Sequence, residues 1–145
     1  MSRKTPLTRK DFADFQPITT RWADNDIYGH VNNVTYYAWF DTAANRFLIE
    51  AGGLDIHNSP IVAYVVSSRC DYFRPVAYPE RIEAALRVTH LGRSSITWEI
   101  GIFPAGEDTA CAQGQLVHVF VDQASQSSVA IPEPVRQALD RLVVS

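Results

Sequence analysis

Hydrophobic and polar residues alternate along most of this chain, and a period of two is typical of β-strands. The alternation predicts five strands, over residues 16–22, 62–72, 82–88, 96–102 and 110–121. In the second strand, one face is expected to carry Val62, Tyr64, Val66, Cys70 and Tyr72. The short turns at residues 91–93 and 104–107 indicate antiparallel neighbours, because a parallel pair needs a crossover of about a dozen residues or more.

The segment from Asn33 to Ala51 has a different pattern, which is dense in apolar residues and has only a narrow polar strip. Such a pattern predicts a helix that is buried on most sides. Asn32 or Asn33 is expected to cap the start of this helix, and Gly52 with Gly53 is expected to end it. A second, shorter helix is predicted over residues 132–142, where prolines precede an apolar stripe.

These elements predict an α+β protein in which one antiparallel sheet wraps around one long helix, so that each layer buries a face against the other. The length of 145 residues fits a single domain. We expect residues 15–145 to form that domain and residues 1–14 to form a flexible N-terminal arm. Apolar residues on the sheet face away from the helix would indicate oligomerisation.

Composition narrows the classes of function. Hydrophobic residues make up 46% and charged residues 20% of the chain, and the formal net charge is -3, which argues against disorder and against a nucleic acid partner. The basic N-terminus is followed by no apolar stretch and no window approaches a membrane span, so we expect a cytoplasmic protein without a membrane partner. Cys70 and Cys111 lack a metal-type spacing and are expected to be free thiols.

The residue types most useful for catalysis are concentrated between the first strand and the long helix, at positions 24–33, which read Asp-Asn-Asp-Ile-Tyr-Gly-His-Val-Asn-Asn. Free N–H groups and the positive end of the helix dipole favour a carboxylate and a developing oxyanion there, and acyl transfer needs both. The same residues also fit a plain capping turn. Asp24 is then a cap or a supporting carboxylate, and His30 is a base, a hydrogen-bond donor or a structural residue.

This segment, followed by Tyr36 and Asp41, closely resembles the opening motif of the 4-hydroxybenzoyl-CoA thioesterase-like hotdog family. It is most similar to the acyl-CoA thioesterase branch that carries Gly-His-Val-Asn-Asn. The later segment 70–76, with its aromatic residues and its Arg-Pro ending, resembles the second strand of that family. The resemblance covers nearly all of the chain after the arm and implies a hotdog fold.

The resemblance implies hydrolysis of an acyl-CoA thioester without a metal or an organic cofactor. The catalytic aspartate of the family precedes the glycine by three residues, which corresponds to Asp26, and the oxyanion donor corresponds to the backbone N–H of Asn33. His30 is a further catalytic candidate, and Tyr28 and Gly29 are substrate-binding candidates. Family members are dimers or tetramers with active sites between subunits, so a homodimer or homotetramer is expected.

Further substrate-binding candidates lie outside this motif. The hairpin turn of Arg93, Ser94 and Ser95 has the charge and the N–H groups to contact CoA phosphates, and it also fits a solvated turn. Three aromatic residues are candidates for lining an acyl pocket or for plain core packing: Tyr37, Phe40 and Tyr64.

Three other functions fit parts of the pattern. A thioesterase for acyl groups on a carrier protein would use the same residues, but an acidic carrier would need a basic patch near the pocket mouth. A non-catalytic acyl-CoA binding module would keep the pocket without the carboxylate. A hotdog dehydratase or hydratase would use a His paired with an acid at other positions.

Overall fold

The computed structural model describes residues 4–144, which form a five-stranded antiparallel sheet with one long helix packed across it. The strands are β1 (Asp14–Ile18), β2 (Ile61–Tyr72), β3 (Ile82–Leu91), β4 (Ser95–Pro104) and β5 (Ala112–Asp122). The helices are α1 (Thr35–Glu50) and α2 (Glu133–Asp140), and short 3-10 helices span Arg9–Asp11 and Trp22–Asp24. The strand order is β1-β3-β4-β5-β2, so β1 and β2 are the edges. The predicted α+β architecture is therefore confirmed.

Helix α1 packs on the sheet through residues spaced three or four apart, as an amphipathic helix does. Seven of its 16 residues are buried: Tyr36, Trp39, Phe40, Ala43, Ala44, Phe47 and Leu48. The opposite face, which includes Asp41, Thr42 and Arg46, is exposed. The prediction of burial on most sides is therefore wrong for the single chain, because the sheet covers only one side of the helix. Among the described residues, no helix is both long and apolar enough to span a bilayer.

The end of α1 follows the sequence prediction. Gly53 has a φ of 70°, in the left-handed region that glycine adopts without strain. Its N–H donates to the carbonyl of Ile49 at 3.2 Å, and the N–H of Gly52 donates to Phe47 at 3.2 Å. These two bonds satisfy carbonyls in the last turn and stop the helix.

The first strand is displaced from its predicted position. β1 begins at Asp14, inside the expected arm, and ends at Ile18, which pairs with Ile82 at the first residue of β3. Beyond this pair β3 offers no further residue, so the chain leaves the sheet. The following residues form the 3-10 helix Trp22–Asp24, and the prediction of a strand up to Trp22 is wrong.

Much of the expected N-terminal arm contacts the sheet on the face away from α1. Phe12 packs edge-on against Phe103, with ring centroids 5.7 Å apart, and these rings form a small second core with Ala85 and Ala110. Arg9 forms a salt bridge with Glu83 at 2.7 Å. This segment therefore covers apolar surface on the outer face of the sheet. Residues 1–3 of the arm and residue 145 lie outside the described residues.

Strand β2 contains an irregularity that the period of two did not predict. Its register against β5 shifts between Val65 and Ser67, which marks a β-bulge. An extra residue reverses the alternation, because side chains on a strand point to opposite faces in turn. Tyr64 pairs with Val119 whereas Tyr72 pairs with Ala112, so these two tyrosines lie on opposite faces of the sheet. The predicted single face is wrong.

The two cysteines are free thiols, as predicted. Burial raises the pKa of Cys70 to about 11 and the pKa of Cys111 to about 12. Both thiols are therefore protonated near neutral pH and are poor nucleophiles.

Candidate active site

The loop between β1 and α1 is held in place by Asp24, which is only 2% exposed. Its Oδ2 accepts a hydrogen bond from the backbone N–H of Arg21 at 2.8 Å, and its Oδ1 accepts from the Arg21 guanidinium at 2.8 and 3.1 Å. The carbonyl of Asp24 accepts from the N–H of Asn32 at 2.8 Å. Asp24 therefore ties the two ends of the loop together, and it does not cap α1.

Asp26 lies in a tight turn within this loop and is partly exposed. Its N–H donates to the carbonyl of His30 at 2.9 Å, and its carbonyl accepts from Gly29 at 3.0 Å. Gly29 closes the turn with a φ of 80°. The Oδ1 atom accepts the backbone N–H of Tyr28 at 2.9 Å, which orients the carboxylate. Within residues 4–144, Oδ2 accepts no hydrogen bond and is open to a ligand.

The chain between this turn and α1 leaves one backbone donor open. The prediction that Asn32 or Asn33 caps α1 is wrong, because Val34 occupies the N-cap position and no described side chain caps the helix. The Oδ1 of Asn32 instead accepts the N–H of Val34 at 3.1 Å. The carbonyl of Asn33 accepts a hydrogen bond from the Tyr72 hydroxyl at 2.9 Å. In the described part of the chain, the N–H of Asn33 donates to no acceptor. A free N–H beside a helix N-terminus is suited to an oxyanion.

Asp26 and Asn33 line the same pocket, which has a volume of about 570 Å³. One wall is the loop before α1, and the other is the end of β2 with the segment that follows it. The lining residues are Asp26, Tyr28, His30, Val31, Asn33, Tyr36, Tyr72, Phe73, Arg74 and Pro75. The N–H of Val31 donates to the carbonyl of Val76 at 2.8 Å, which fixes the two walls to each other.

Two kinds of side chain line the pocket where α1 meets the β2 wall, namely tyrosine rings and one arginine. The rings of Tyr36 and Tyr72 meet edge-on with centroids 5.0 Å apart, and burial raises the pKa of both phenols above the usual range, so they stay neutral. Arg74 binds Glu107 at 2.5 Å and Glu80 at 3.1 Å. The hydrogen bond from Arg74 lowers the pKa of Glu107, so this wall carries a compensated charge.

Comparison with known proteins assigns the chain to a family. Residues 20–139 match the model of the thioesterase-like superfamily. The chain belongs to this superfamily. The match confirms the family resemblance and the hotdog fold, and it supports thioester hydrolysis as the general activity.

Solved structures of the superfamily agree with this assignment. The chain is 57% identical to the PA5185 protein from Pseudomonas aeruginosa strain PAO1, with a TM-score of 0.95 over 97% of this chain and 98% of that chain. It is 29% identical to PA2801, a proposed thioesterase from Pseudomonas aeruginosa, with a TM-score of 0.79 over 86% and 96% of the two chains. Slr0204, a 1,4-dihydroxy-2-naphthoyl-CoA thioesterase from Synechocystis, shares the fold at 19% identity, with a TM-score of 0.78 over 87% and 94%.

The predicted site residues separate into two groups in the single chain. One group lies in the loop before α1, and the other consists of the three aromatic residues and the turn at 93–95. Asp26, Tyr28, His30 and Asn33 line one pocket, and Gly29 lies in the turn between them. His30 and Tyr28 are both exposed, and Tyr28 is 83% exposed.

The three predicted aromatic residues do not line this pocket. Phe40 is completely buried in the core, and Tyr37 is half-buried beside it with the ring centroids 6.1 Å apart. Tyr64 lies on the outer face of the sheet, eight residues along β2 from Tyr72. In the single chain these residues do not share this pocket, since core packing and the β2 bulge determine their positions, and their part in an acyl pocket stays a prediction.

The turn of Arg93, Ser94 and Ser95 lies at the end of the sheet far from Asp26, because Ser95 pairs with Val119 and Val119 pairs with Tyr64. It is fixed by backbone bonds from Phe120 to Ser94 at 2.8 Å and from Ile131 to Arg93 at 2.9 Å. The backbone of the turn is therefore tied to β5 and the C-terminal segment, while Arg93 is exposed.

Sequence reasoning missed Tyr72 and Arg74 as site residues. The segment that contains them was noted only for its family resemblance. The signal available was the Arg-Pro ending of a strand, which marks where β2 leaves the sheet edge. Which loop that ending faces depends on the register of β2 against β5, and the bulge makes the register unreadable from the hydrophobic pattern.

Proposed function

We propose that the chain is an acyl-CoA thioesterase that hydrolyses the thioester to a free acid and CoA. The observation that carries this proposal is that the Asp26 carboxylate and the open N–H of Asn33 line one pocket. A carboxylate beside an oxyanion donor is the minimum that acyl transfer to water requires. Membership of the thioesterase-like superfamily supports the same reaction.

In the proposed mechanism, the thioester carbonyl oxygen accepts the N–H of Asn33, and the carbonyl carbon faces Oδ2 of Asp26. Asp26 either attacks this carbon to form an acyl-enzyme anhydride, or takes a proton from a water that attacks it. In both cases the C–S bond breaks and CoA leaves as the thiolate. Water supplies the hydroxyl of the acid, and the remaining proton of that water passes by way of the Asp26 carboxylate to the thiolate. The bond from Tyr28 N–H to Oδ1 keeps Oδ2 aimed at the carbon.

The charges near the pocket favour a CoA thioester over a thioester on an acidic carrier protein. An acidic protein partner is best recognised by unpaired basic side chains. The two arginines beside the pocket are both paired, Arg21 with Asp24 at 2.8 Å and Arg74 with Glu107 at 2.5 Å. Neither arginine presents an uncompensated charge to a protein surface.

We further propose that the enzyme is a homodimer joined along the edge strand β2. This strand exposes Tyr64 at 41%, Val65 at 45% and Val66 at 61%, and a long apolar edge with open backbone groups pairs readily with another strand. A two-fold axis through the middle of β2 would pair the edges of two copies antiparallel.

Such a dimer would bring one of the separated groups of predicted site residues, the Arg93 turn, towards the Asp26 pocket. Tyr64 and Tyr72 are roughly 26 Å apart along the strand, at about 3.3 Å per residue. Antiparallel pairing of two β2 edges places the Tyr64 end of one copy beside the Tyr72 end of the other. Arg93 and its turn would then approach the Asp26 pocket of the second copy from outside. The phosphates of a bound CoA are expected to lie there.

The proposal is tested by thiol release from a panel of acyl-CoAs, from acetyl to palmitoyl and from benzoyl to phenylacetyl. The wild type is compared with Asp26→Asn, for which we expect kcat to fall by about three orders of magnitude or more with unchanged folding. Asp55→Asn is the matched control, because Oδ1 of Asp55 also accepts a backbone N–H two residues on, from His57 at 3.0 Å, but Asp55 lies outside the pocket.

Absence of turnover on every acyl-CoA would overturn the proposal, and an acyl carrier protein carrying the same acyl groups would then be the next substrate to assay. Equal losses in Asp26→Asn and Asp55→Asn would remove Asp26 from the reaction. Turnover that Asp26→Asn preserves and His30→Ala abolishes would instead favour the histidine-based chemistry of a dehydratase.

A further inference from the structure

Trp22 is an unusual exposed side chain beside the pocket. The chain has three tryptophans, of which Trp39 is 6% exposed and Trp98 is completely buried, whereas Trp22 is 78% exposed. Its ring meets that of Tyr78 edge-on, with centroids 6.3 Å apart and an angle of 82° between the planes, and Tyr78 is itself 40% exposed. Two large aromatic rings therefore form an open surface, which is typical of a contact site.

The backbone holds this pair in a fixed place relative to Asp26. Trp22 begins the 3-10 helix that the buried Asp24 stabilises, and its carbonyl accepts the N–H of Asn25 at 3.3 Å. The side chain of Asn25, next to Asp26, accepts the N–H of Tyr78 at 3.0 Å. Trp22 precedes one wall of the pocket and Tyr78 follows the other, and neither residue is among those that line the pocket itself.

We propose that Trp22 and Tyr78 bind the pantetheine arm of the substrate where it leaves the pocket. This inference rests on the proposed thioesterase function and deepens it. When the thioester carbonyl lies at Asp26 and Asn33, one end of the substrate lies in the pocket against Tyr36 and Tyr72, and the other passes outward. In this proposal the outward end reaches the aromatic pair, because Trp22 and Tyr78 adjoin the two walls without lining the pocket.

The chemistry of the arm suits such a surface. Pantetheine is a flexible chain with a dimethyl branch and two amides, so its apolar part buries ring surface and its N–H groups face the aromatic π-clouds. A nucleotide would instead need unpaired cations for its phosphates, and the nearby Arg21 is paired with Asp24 at 2.8 Å.

The kinetic test compares acyl-CoA with the N-acetylcysteamine thioester of the same acyl group, which retains only the end of the arm nearest the sulfur. For Trp22→Ala we expect KM to rise about tenfold for acyl-CoA with kcat little changed, and no change for the short thioester. Trp22→Phe should recover part of the loss. Ile56→Ala is the matched control, because Ile56 is an apolar side chain of 51% exposure outside the pocket.

A binding test needs no turnover and therefore separates this inference from the proposed function. Trp22 is the exposed tryptophan, so acrylamide quenching of the fluorescence reports mainly on its ring. Pantetheine should protect the wild type from quenching, whereas AMP should not. The residual quenching of Trp22→Ala should be unaffected by either compound.

The outcomes are distinct. Protection by pantetheine in a protein that hydrolyses no thioester would contradict the proposed function and support the arm site. Turnover with an equal KM change for long and short thioesters, or with none, would overturn the arm site alone. Protection by AMP without protection by pantetheine, or a change of oligomeric state in Trp22→Ala, would also overturn it.

Discussion

The hydroxyl of Tyr72, at the end of the edge strand β2, donates a 2.9 Å hydrogen bond to the carbonyl of Asn33, just before α1 begins. This bond connects the two walls of the pocket and fixes the residue whose N–H we propose as the oxyanion donor. Tyr72→Phe keeps the ring and removes the bond. We expect kcat to fall about tenfold, because a small displacement of the donor weakens it most in the transition state, while the free energy of unfolding falls by only about 1 kcal/mol.

The measurement is kcat and KM with the best acyl-CoA of the panel, together with urea unfolding of both proteins. A kcat equal to that of the wild type would mean that Asn33 keeps its position without Tyr72. A loss of stability well above 1 kcal/mol would mean instead that the hydroxyl serves the fold.

A buried pair in the core involves His118, a histidine for which the sequence predicts no role. Trp98 Nε1 donates to Nδ1 of His118 at 2.9 Å in the core. Burial lowers the pKa of His118 from its ordinary value of 6.5 to about 4. At a pH between 6.5 and about 4, the unfolded chain therefore binds a proton at His118 that the folded chain does not bind. The stability from the neutral imidazole is complete above pH 6.5 and is lost as the pH falls towards 4.

His118→Gln tests this pH dependence, because the glutamine carbonyl can still accept the bond from Trp98. Between about pH 7 and about pH 5, we expect the unfolding free energy of the wild type to fall by about 2 kcal/mol more than that of the variant. Denaturant unfolding at both pH values measures the difference. Parallel losses in the two proteins would show that other groups, and not His118, govern stability in this range.

The sequence predicts the positions of the strands correctly where the hydrophobic alternation is regular and both strands of a pair are long. β3 and β4 begin at Ile82 and Ser95, within a residue of their predicted starts. Prediction failed where a local event breaks the period, as at the bulge near Val66, or where the partner strand ends, as beyond Ile18. Both events depend on the register between strands, which a single strand does not encode.

The candidate site divides in the same way. Asp26, His30 and Asn33 are close in sequence, so one loop brings them to the same pocket, and their catalytic roles stay a prediction. Tyr72 lies 39 residues from the Asn33 carbonyl that it binds, and only the completed sheet brings the two together. Trp22 was expected in a strand, so its exposure beside the pocket could not be foreseen.

The fit between α1 and the sheet gives a stability prediction at Gly114. A Cβ at this position would collide with the ring of Phe40 on α1 and with the carbonyl oxygen of Arg69 on β2. Gly114→Ala is therefore expected to lower the free energy of unfolding by about 3 kcal/mol, since neither a packed ring nor a sheet backbone yields easily. Urea unfolding measures this loss.

Gly106→Ala is the control for the glycine change itself. Gly106 has a φ of 80° and nothing within 4 Å of a Cβ, so only backbone strain opposes the alanine. That strain costs about 1 kcal/mol. Equal losses in the two variants would mean that the core adjusts around Gly114 and that the contact with Phe40 is less rigid than its burial suggests.

The β2 edge gives a prediction about assembly. Val66 is 61% exposed at the bulge of this strand, where the proposed dimer would bury it. Val66→Lys puts a charge at the centre of that interface, so we expect light scattering after size exclusion to give a dimeric wild type and a monomeric variant. Ile56→Lys, a similar change at a side chain of 51% exposure outside β2, should stay dimeric. Because each pocket is proposed to need Arg93 from the second copy, the monomer should also lose affinity for acyl-CoA. A monomeric wild type with full thioesterase activity would contradict the shared site and leave Asp26 and Asn33 to act within one chain.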